Sequence, residues 1–157
     1  MVYILKTLSD YIKNNLYDEY YGAFYSVVNR DKQDIVTEDK TLLDVSLGLL
    51  AFSKQNDKKM VLTLLKDMEQ FQDKENGGFY EILDGTNIKQ EIGIVKTIFI
   101  QALAQFARYV AARGLEDKIL VKTSSEAIER ISKQYIIKNK ATILSQDWND
   151  AIDTSIK

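Results

Sequence analysis

The side chains with which this chain could do chemistry are carboxylates, lysines and tyrosines, because its 157 residues include no histidine and no cysteine. That composition excludes a thiolate nucleophile, a disulfide and a His- or Cys-ligated zinc site. Proton transfer near neutrality would fall to a group with a shifted pKa. Carboxylates and aromatic rings gather in two stretches: Asp18, Glu19, Tyr20, Tyr21, Phe24, Tyr25 and Asp39, then Glu75, Phe79, Tyr80, Glu81, Asp84 and Glu91. Tyr21, Phe24, Tyr25, Phe79 and Tyr80, joined by Trp148, are the candidate substrate-binding residues, since flat amphipathic rings suit the faces of a sugar. The alternative is that alternate residues of each run pack inward.

Three carboxylates are candidates for catalysis, and no complete catalytic set can be named. Asp147 and Asp150 stand three apart on one face of an expected helix, with Trp148 beside them. Glycoside hydrolysis needs two carboxyl groups roughly 5 to 10 Å apart, one with a raised pKa; helix capping and core packing are the competing roles. Asp44 interrupts an apolar helix circumference and must be paired, solvated or protonated there. Lys40 and Lys96 recur where a loop enters a helix, a place where a cation opposes the helix dipole, and this predicts a shared structural bond to the preceding loop. No metal site and no cofactor is expected.

The elements that must position these residues are helical. Proline is absent, although a chain of this length at the average frequency of about 5% would carry several. Apolar spacing predicts one-sided helices over 2–16, 58–72 and 115–135, and helices apolar around most of their circumference over 38–54 and 92–112. A last helix is expected over about 140–156. The turns at Gln55-Asn56-Asp57 and Arg113-Gly114 are short, with Gly114 as a helix stop. The connections 17–37 and 73–91 are long, and each holds a strand-like stretch, 24–28 and 79–83; Asp84-Gly85 is the stronger hairpin signal.

These connections expose an internal repeat. Phe24-Tyr25 recurs 55 residues later as Phe79-Tyr80, and Lys40-Thr41 recurs 56 residues later as Lys96-Thr97. Units of this length read as stacked helical hairpins, here about 1–55, 56–113 and 114–157 of a single all-α domain. The formal charge of -2 offers no footprint for nucleic acid. No apolar run approaches the roughly 18 residues of a membrane span, and a leader pattern is missing, so a cytoplasmic location is expected.

With the repeat aligned, the sequence resembles the N-terminal half of the N-acylglucosamine 2-epimerase and cellobiose 2-epimerase superfamily. The resemblance is carried by Leu16-Tyr17-Asp18-Glu19, Tyr21-Gly22-Ala23-Phe24-Tyr25, Asn29-Arg30-Asp31 and Glu38-Asp39-Lys40, and again by Asp73-Lys74-Glu75-Asn76-Gly77-Gly78-Phe79-Tyr80. It implies half of an (α/α)6 toroid with a sugar pocket where the long loops meet. It also implies two departures: the family's inner-helix glutamine and active-site arginine are matched here by Val45 and Leu47, and its catalytic histidines have no counterpart. The expectation is a carbohydrate-binding or epimerase-like half-barrel, not competent alone. Its apolar inner faces, around Ile98, Phe99 and Phe106, would be covered by a homodimer partner or by a second half-barrel. A non-catalytic helical protein-interaction module is the alternative, and a carboxylate-dependent glycosidase the third reading.

Overall fold

The computed structural model describes residues 2–28, 35–75, 77–84, 96–137 and 140–141. Along them run α1 (Val2–Asn15), β1 (Val27–Val28), β2 (Ile35–Thr37), β3 (Lys40–Thr41), α2 (Leu42–Lys54), α3 (Lys58–Gln70), β4 (Ile82–Leu83), α4 (Ile98–Leu115), α5 (Lys118–Tyr135), β5 (Ile136–Ile137) and β6 (Lys140–Ala141). The all-helical class is as expected, with short antiparallel strand pairs in the connections.

Why some helices are apolar on many sides follows from their place. Helix α2 packs against α3 on one flank and α4 on another, and α4 lies between α2 and α5. Leu42, Val45, Leu49 and Phe52 of α2 form one core with Met60, Val61, Leu64 and Met68 of α3 and with Ala104, Ala107 and Ala111 of α4. Each large side chain so buried contributes about 1.5–3 kcal/mol. Helices α2 and α4 are thus the inner helices; α3 and α5 each turn an apolar stripe toward them, whereas α1 sets Ile12 against the core and leaves Leu8 and Tyr11 exposed.

The helix ends differ from expectation in four places, and one of them is the start of α4, which begins at Ile98 rather than 92 because Thr97 is extended and Lys96 lies outside the helix. Helix α2 begins at Leu42 rather than 38, because Lys40–Thr41 are extended and Thr41 caps the helix: its hydroxyl accepts from the Asp44 N–H at 3.1 Å. Gly114 does not stop α4, which runs through it to Leu115. The left-handed residue that ends the helix is Glu116, at φ 59°. Asn56 at φ 57° plays the same part after α2, and Asp57 and Asp117 then cap α3 and α5, so both short turns are built alike. Lastly, Lys140–Ala141 are strand rather than helix and pair with β5. The rest of the expected last helix lies outside the described residues.

The strand after Phe79-Tyr80 makes a longer-range contact than a local hairpin. Lys40 pairs with Leu83 and Thr41 with Ile82, so β4 of the second unit zips onto β3 of the first. Strand β1 pairs with β2 inside the first connection. The long loops of successive units are thereby joined at one end of the helix layer.

Candidate functional site

Each long connection starts with the same tight loop. In the first, the Asp18 N–H donates to the Ala23 carbonyl, the Gly22 N–H to the Asp18 carbonyl and the Tyr25 N–H to the Leu16 carbonyl; in the second, Asp73, Gly78, Gly77, Tyr80 and Phe71 repeat all three bonds. Gly22, Ala23, Gly77 and Gly78 all have positive φ, which explains the glycines and leaves Ala23 as the one of the four with a side chain to strain. At Gly22 a side chain is also barred by contact, since its first carbon would lie 2.5 Å from an Asp67 oxygen.

A buried ion pair locks each loop to its inner helix. Lys40 Nζ meets Asp18 Oδ2 at 2.9 Å and Lys96 Nζ meets Asp73 Oδ2 at 2.7 Å. The shared bond expected from the recurrence of these lysines is present in both units. Lys96 also donates to the Gly77 carbonyl at 2.6 Å. The Asp18 carboxylate accepts from the Tyr20 and Tyr21 N–H groups as well. Burial works to raise its pKa, but the Tyr21 N–H, Lys40 and its other donors together hold it below the usual carboxylate range. Tyr25 runs the other way: burial, and then its hydrogen bond to Asp18, push the phenol up to about 12. Lys40 sits over the Tyr25 ring, 3.5 Å from its centroid.

Beside the first loop, α1 and α2 enclose an open groove of about 310 Å³. Tyr25, Ser26 and Asp44 line its loop end; Ile12, Leu16, Leu47, Gly48, Ala51 and Phe52 line the rest. Asp44 Oδ2 accepts the Ser26 hydroxyl at 2.9 Å and the Thr41 hydroxyl at 2.5 Å. Both hydroxyls satisfy the carboxylate that breaks the apolar circumference, and the Thr41 hydroxyl in turn accepts the Asp44 N–H. A half-buried carboxylate, the Ser26 hydroxyl and an amphipathic ring at the mouth of an apolar groove can accept and donate hydrogen bonds while covering an apolar face.

The structure brings Phe24, Tyr25 and Asp44 together at this groove. Phe24 is largely buried, edge-on to Tyr17 and stacked on Phe52, so only its margin is offered. Phe79 is buried in the core and Tyr80 is half-buried beside Lys96. Tyr21 lies at the loop tip, edge-on to Tyr20, which is 85% exposed. Asp147, Trp148 and Asp150 lie outside the described residues. Among the described residues no cluster of acidic side chains is placed to hold a metal ion, and no helix is long and apolar enough to cross a membrane.

Two residues that hold the loops were not foreseen. Asp67, buried on α3, accepts from the Tyr17 hydroxyl at 2.8 Å and the Ala23 N–H at 3.0 Å; burial outweighs these bonds and raises its pKa. Gln101, buried on α4, accepts from the Phe79 N–H and donates to the Phe79 carbonyl, both at 2.9 Å. Asp67 is a polar residue on an otherwise apolar face, the same signal that marked Asp44, whereas Gln101 shares its buried face with Gln105.

No family model and no curated protein matches the sequence. Solved structures match by shape. A sugar epimerase from a ruminal bacterium superposes with a TM-score of 0.75 at 16% identity, over 92% of this chain and 41% of its own. This chain is a partial (α/α) toroid. Cellobiose 2-epimerases from Bacillus thermoamylovorans and Spirochaeta thermophila superpose with TM-scores of 0.72 and 0.62 at 17% and 18% identity, over 82% and 80% of this chain. The chain spans about two fifths or less of the length of these proteins, at 41%, 37% and 35%. At such identities the likeness is one of fold.

Proposed function

We propose that this chain is a cytoplasmic carbohydrate-binding half of a toroid like that of the sugar 2-epimerases, without epimerase competence of its own. The observation that carries the reading is the loop end of the α1–α2 groove, where Tyr25, Ser26 and Asp44 meet. A sugar ring stacks on the Tyr25 face not occupied by Lys40, and one of its hydroxyls donates to the Asp44 carboxylate. The fold likeness to proteins described as sugar and cellobiose epimerases supports the ligand class. The lack of histidine, and of the family's glutamine and arginine at Val45 and Leu47, supports binding without turnover. The ring is completed by a second copy or by a second half-barrel.

Titration of cellobiose and of N-acetylglucosamine, followed by amide chemical shifts, tests this. Shifts centred on Tyr25, Ser26 and Asp44 are expected, with affinity falling about tenfold or more in Tyr25→Ala and Asp44→Ala, a loss of at least 1.4 kcal/mol. No shift with either sugar at tens of millimolar would overturn it. A protein-interaction module is the second reading, favoured by the Tyr20–Tyr21 pair, whose exposed rings lie 4.6 Å apart on a loop held rigid by Asp18.

A further inference from the structure

The first loop is held at two points that differ in kind. On the inner side Lys40 meets Asp18 at 2.9 Å, a bond between two charges. On the outer side the holder is Asp67 of α3, whose Oδ2 accepts both the Tyr17 hydroxyl at 2.8 Å and the Ala23 N–H at 3.0 Å. Among the described residues no cation pairs with Asp67. It is 5% exposed, and its Oδ1 faces Gly22, where the first carbon of any side chain would stand 2.5 Å away. The loop brings two carboxylates, Asp18 toward Asp67 and Glu19 toward Tyr17, while α3 itself supplies the exposed Lys66. The other cations of the surrounding elements are engaged elsewhere: Lys13 of α1 by Asp57, Lys40 ahead of α2 by Asp18, and Arg108 of α4 over the Phe79 ring. Ionisation of Asp67 puts an unpaired charge in a buried place near a second carboxylate, a cost that only the entry of water relieves. Burial accordingly raises its pKa. The loop is strained at the same point, since Ala23 holds φ 61° where the second loop has Gly78.

We propose that Asp67 is a proton-operated latch on the first loop, holding Gly22-Ala23 against α3 when neutral and releasing them when ionised. The carboxyl proton passes to solvent, water enters beside the charge, and the Tyr17 hydroxyl and Ala23 N–H turn from Asp67 to water. Ala23 then leaves the left-handed region, which favours the released state further. Tyr25 and Ser26 follow directly along the chain and line the groove, so release withdraws a ring and a hydroxyl from it. That link to ligand binding rests on reading the groove as a carbohydrate site; the latch itself does not. The second loop is the contrast, because the Phe79 N–H is held by Gln101, which does not titrate.

Amide hydrogen exchange of the whole chain from about pH 4 to about pH 8, expressed as protection relative to the intrinsic rate, is the test. Protection of Ala23 is expected to fall about tenfold or more as pH rises above the ordinary carboxylate range, while that of Phe79 stays level. Asp67→Asn keeps an acceptor oxygen for both donors and is expected to make Ala23 protection independent of pH. The side-chain carboxyl carbon resonance of Asp67 in the parent needs no variant, and its midpoint is expected above the ordinary carboxylate range. A midpoint inside that range, an Ala23 amide as protected at high pH as at low, or a fall shared equally by Phe79 overturns the latch. Cellobiose affinity should weaken with pH in step with Ala23 protection in the parent and stay level in Asp67→Asn. A loop that opens with pH while no sugar binds would sink the carbohydrate reading alone, whereas sugar bound beside a loop whose protection ignores pH would sink the latch alone.

Discussion

The two long loops share a backbone and one buried ion pair, yet they are secured by different side chains. The first is caught from outside the helix layer, where Asp67 of α3 accepts the Ala23 N–H; the second is caught from inside, where Gln101 of α4 holds both backbone groups of Phe79. Their phenylalanines differ in the same way. Phe24 stacks on Phe52 with centroids 6.5 Å apart, and the repeat counterpart of Phe52 is Arg108, whose guanidinium lies 5.6 Å from the Phe79 ring centroid. Burial lowers the pKa of that arginine. The helix starts differ as well: in the first unit the Thr41 hydroxyl accepts the Asp44 N–H, while in the second the Glu81 carboxylate reaches from the loop to the Thr97 N–H. One fold is thus satisfied by two polar solutions. The first unit is the one in which a hydroxyl and a carboxylate, those of Ser26 and Asp44, line an open groove.

The largest test of this contrast is removal of the shared lock. Lys96→Met is expected to cost about 3–5 kcal/mol in urea unfolding, because it strands a buried carboxylate. Lys40→Met should cost less, since Lys96 Nζ holds the Gly77 carbonyl as well as its carboxylate. Equal costs would erase the distinction. Next, Gln101→Leu leaves the Phe79 N–H and carbonyl buried without their partner and should cost about 1–3 kcal/mol per stranded group. Hydrogen exchange should then show the second loop opening while the first stays protected.

Gly48→Ala sharpens the comparison at the helix. A glycine to alanine change inside a helix normally stabilises by roughly 0.5–1 kcal/mol. Here the added carbon would lie 2.5 Å from the Phe24 ring, so the expected sign is reversed, with a loss of about 1–3 kcal/mol. Alanine already stands at the counterpart, Ala104, and a rise in thermal midpoint for Gly48→Ala would refute the close packing of Phe24. The smallest effect concerns pH. The raised pKa of Asp67 means that the folded state holds its proton more tightly than the unfolded one. Its contribution is therefore present in acid and is lost as pH rises through the folded pKa. Stability of the parent should lose that component as pH rises above the ordinary carboxylate range, and Asp67→Asn should lack it. Superimposable pH profiles would show that the outer latch does not titrate.

Much of this was legible in residue order. The repeat, the alternation of one-sided and many-sided helices, and the bond between each recurring lysine and its preceding loop all follow from spacing, because a helix exposes its environment through which of its faces are apolar. Asp67 carried the same kind of mark as Asp44, a polar group on an apolar face, yet nothing local says which backbone it, or Gln101 on α4, will meet. The pairing of Ile82–Leu83 with Lys40–Thr41 was equally hidden, since the residues lie more than 40 positions apart and the turn chemistry of Asp84-Gly85 points to a nearer partner. Gly114 misled for a related reason: glycine is permitted in the left-handed region but not confined to it, and Glu116 takes that conformation instead.

By itself, then, the sequence determined the class of the fold, its repeating unit and the chemistry excluded by the absence of histidine and cysteine. Those are properties of composition and of local period. Tertiary structure decided which aromatic rings are core and which face a groove, which polar side chains latch each loop, and that the first inner helix is left with an uncovered flank. These depend on what packs against each face, and a packing partner is chosen by the whole fold rather than by its neighbours in the chain.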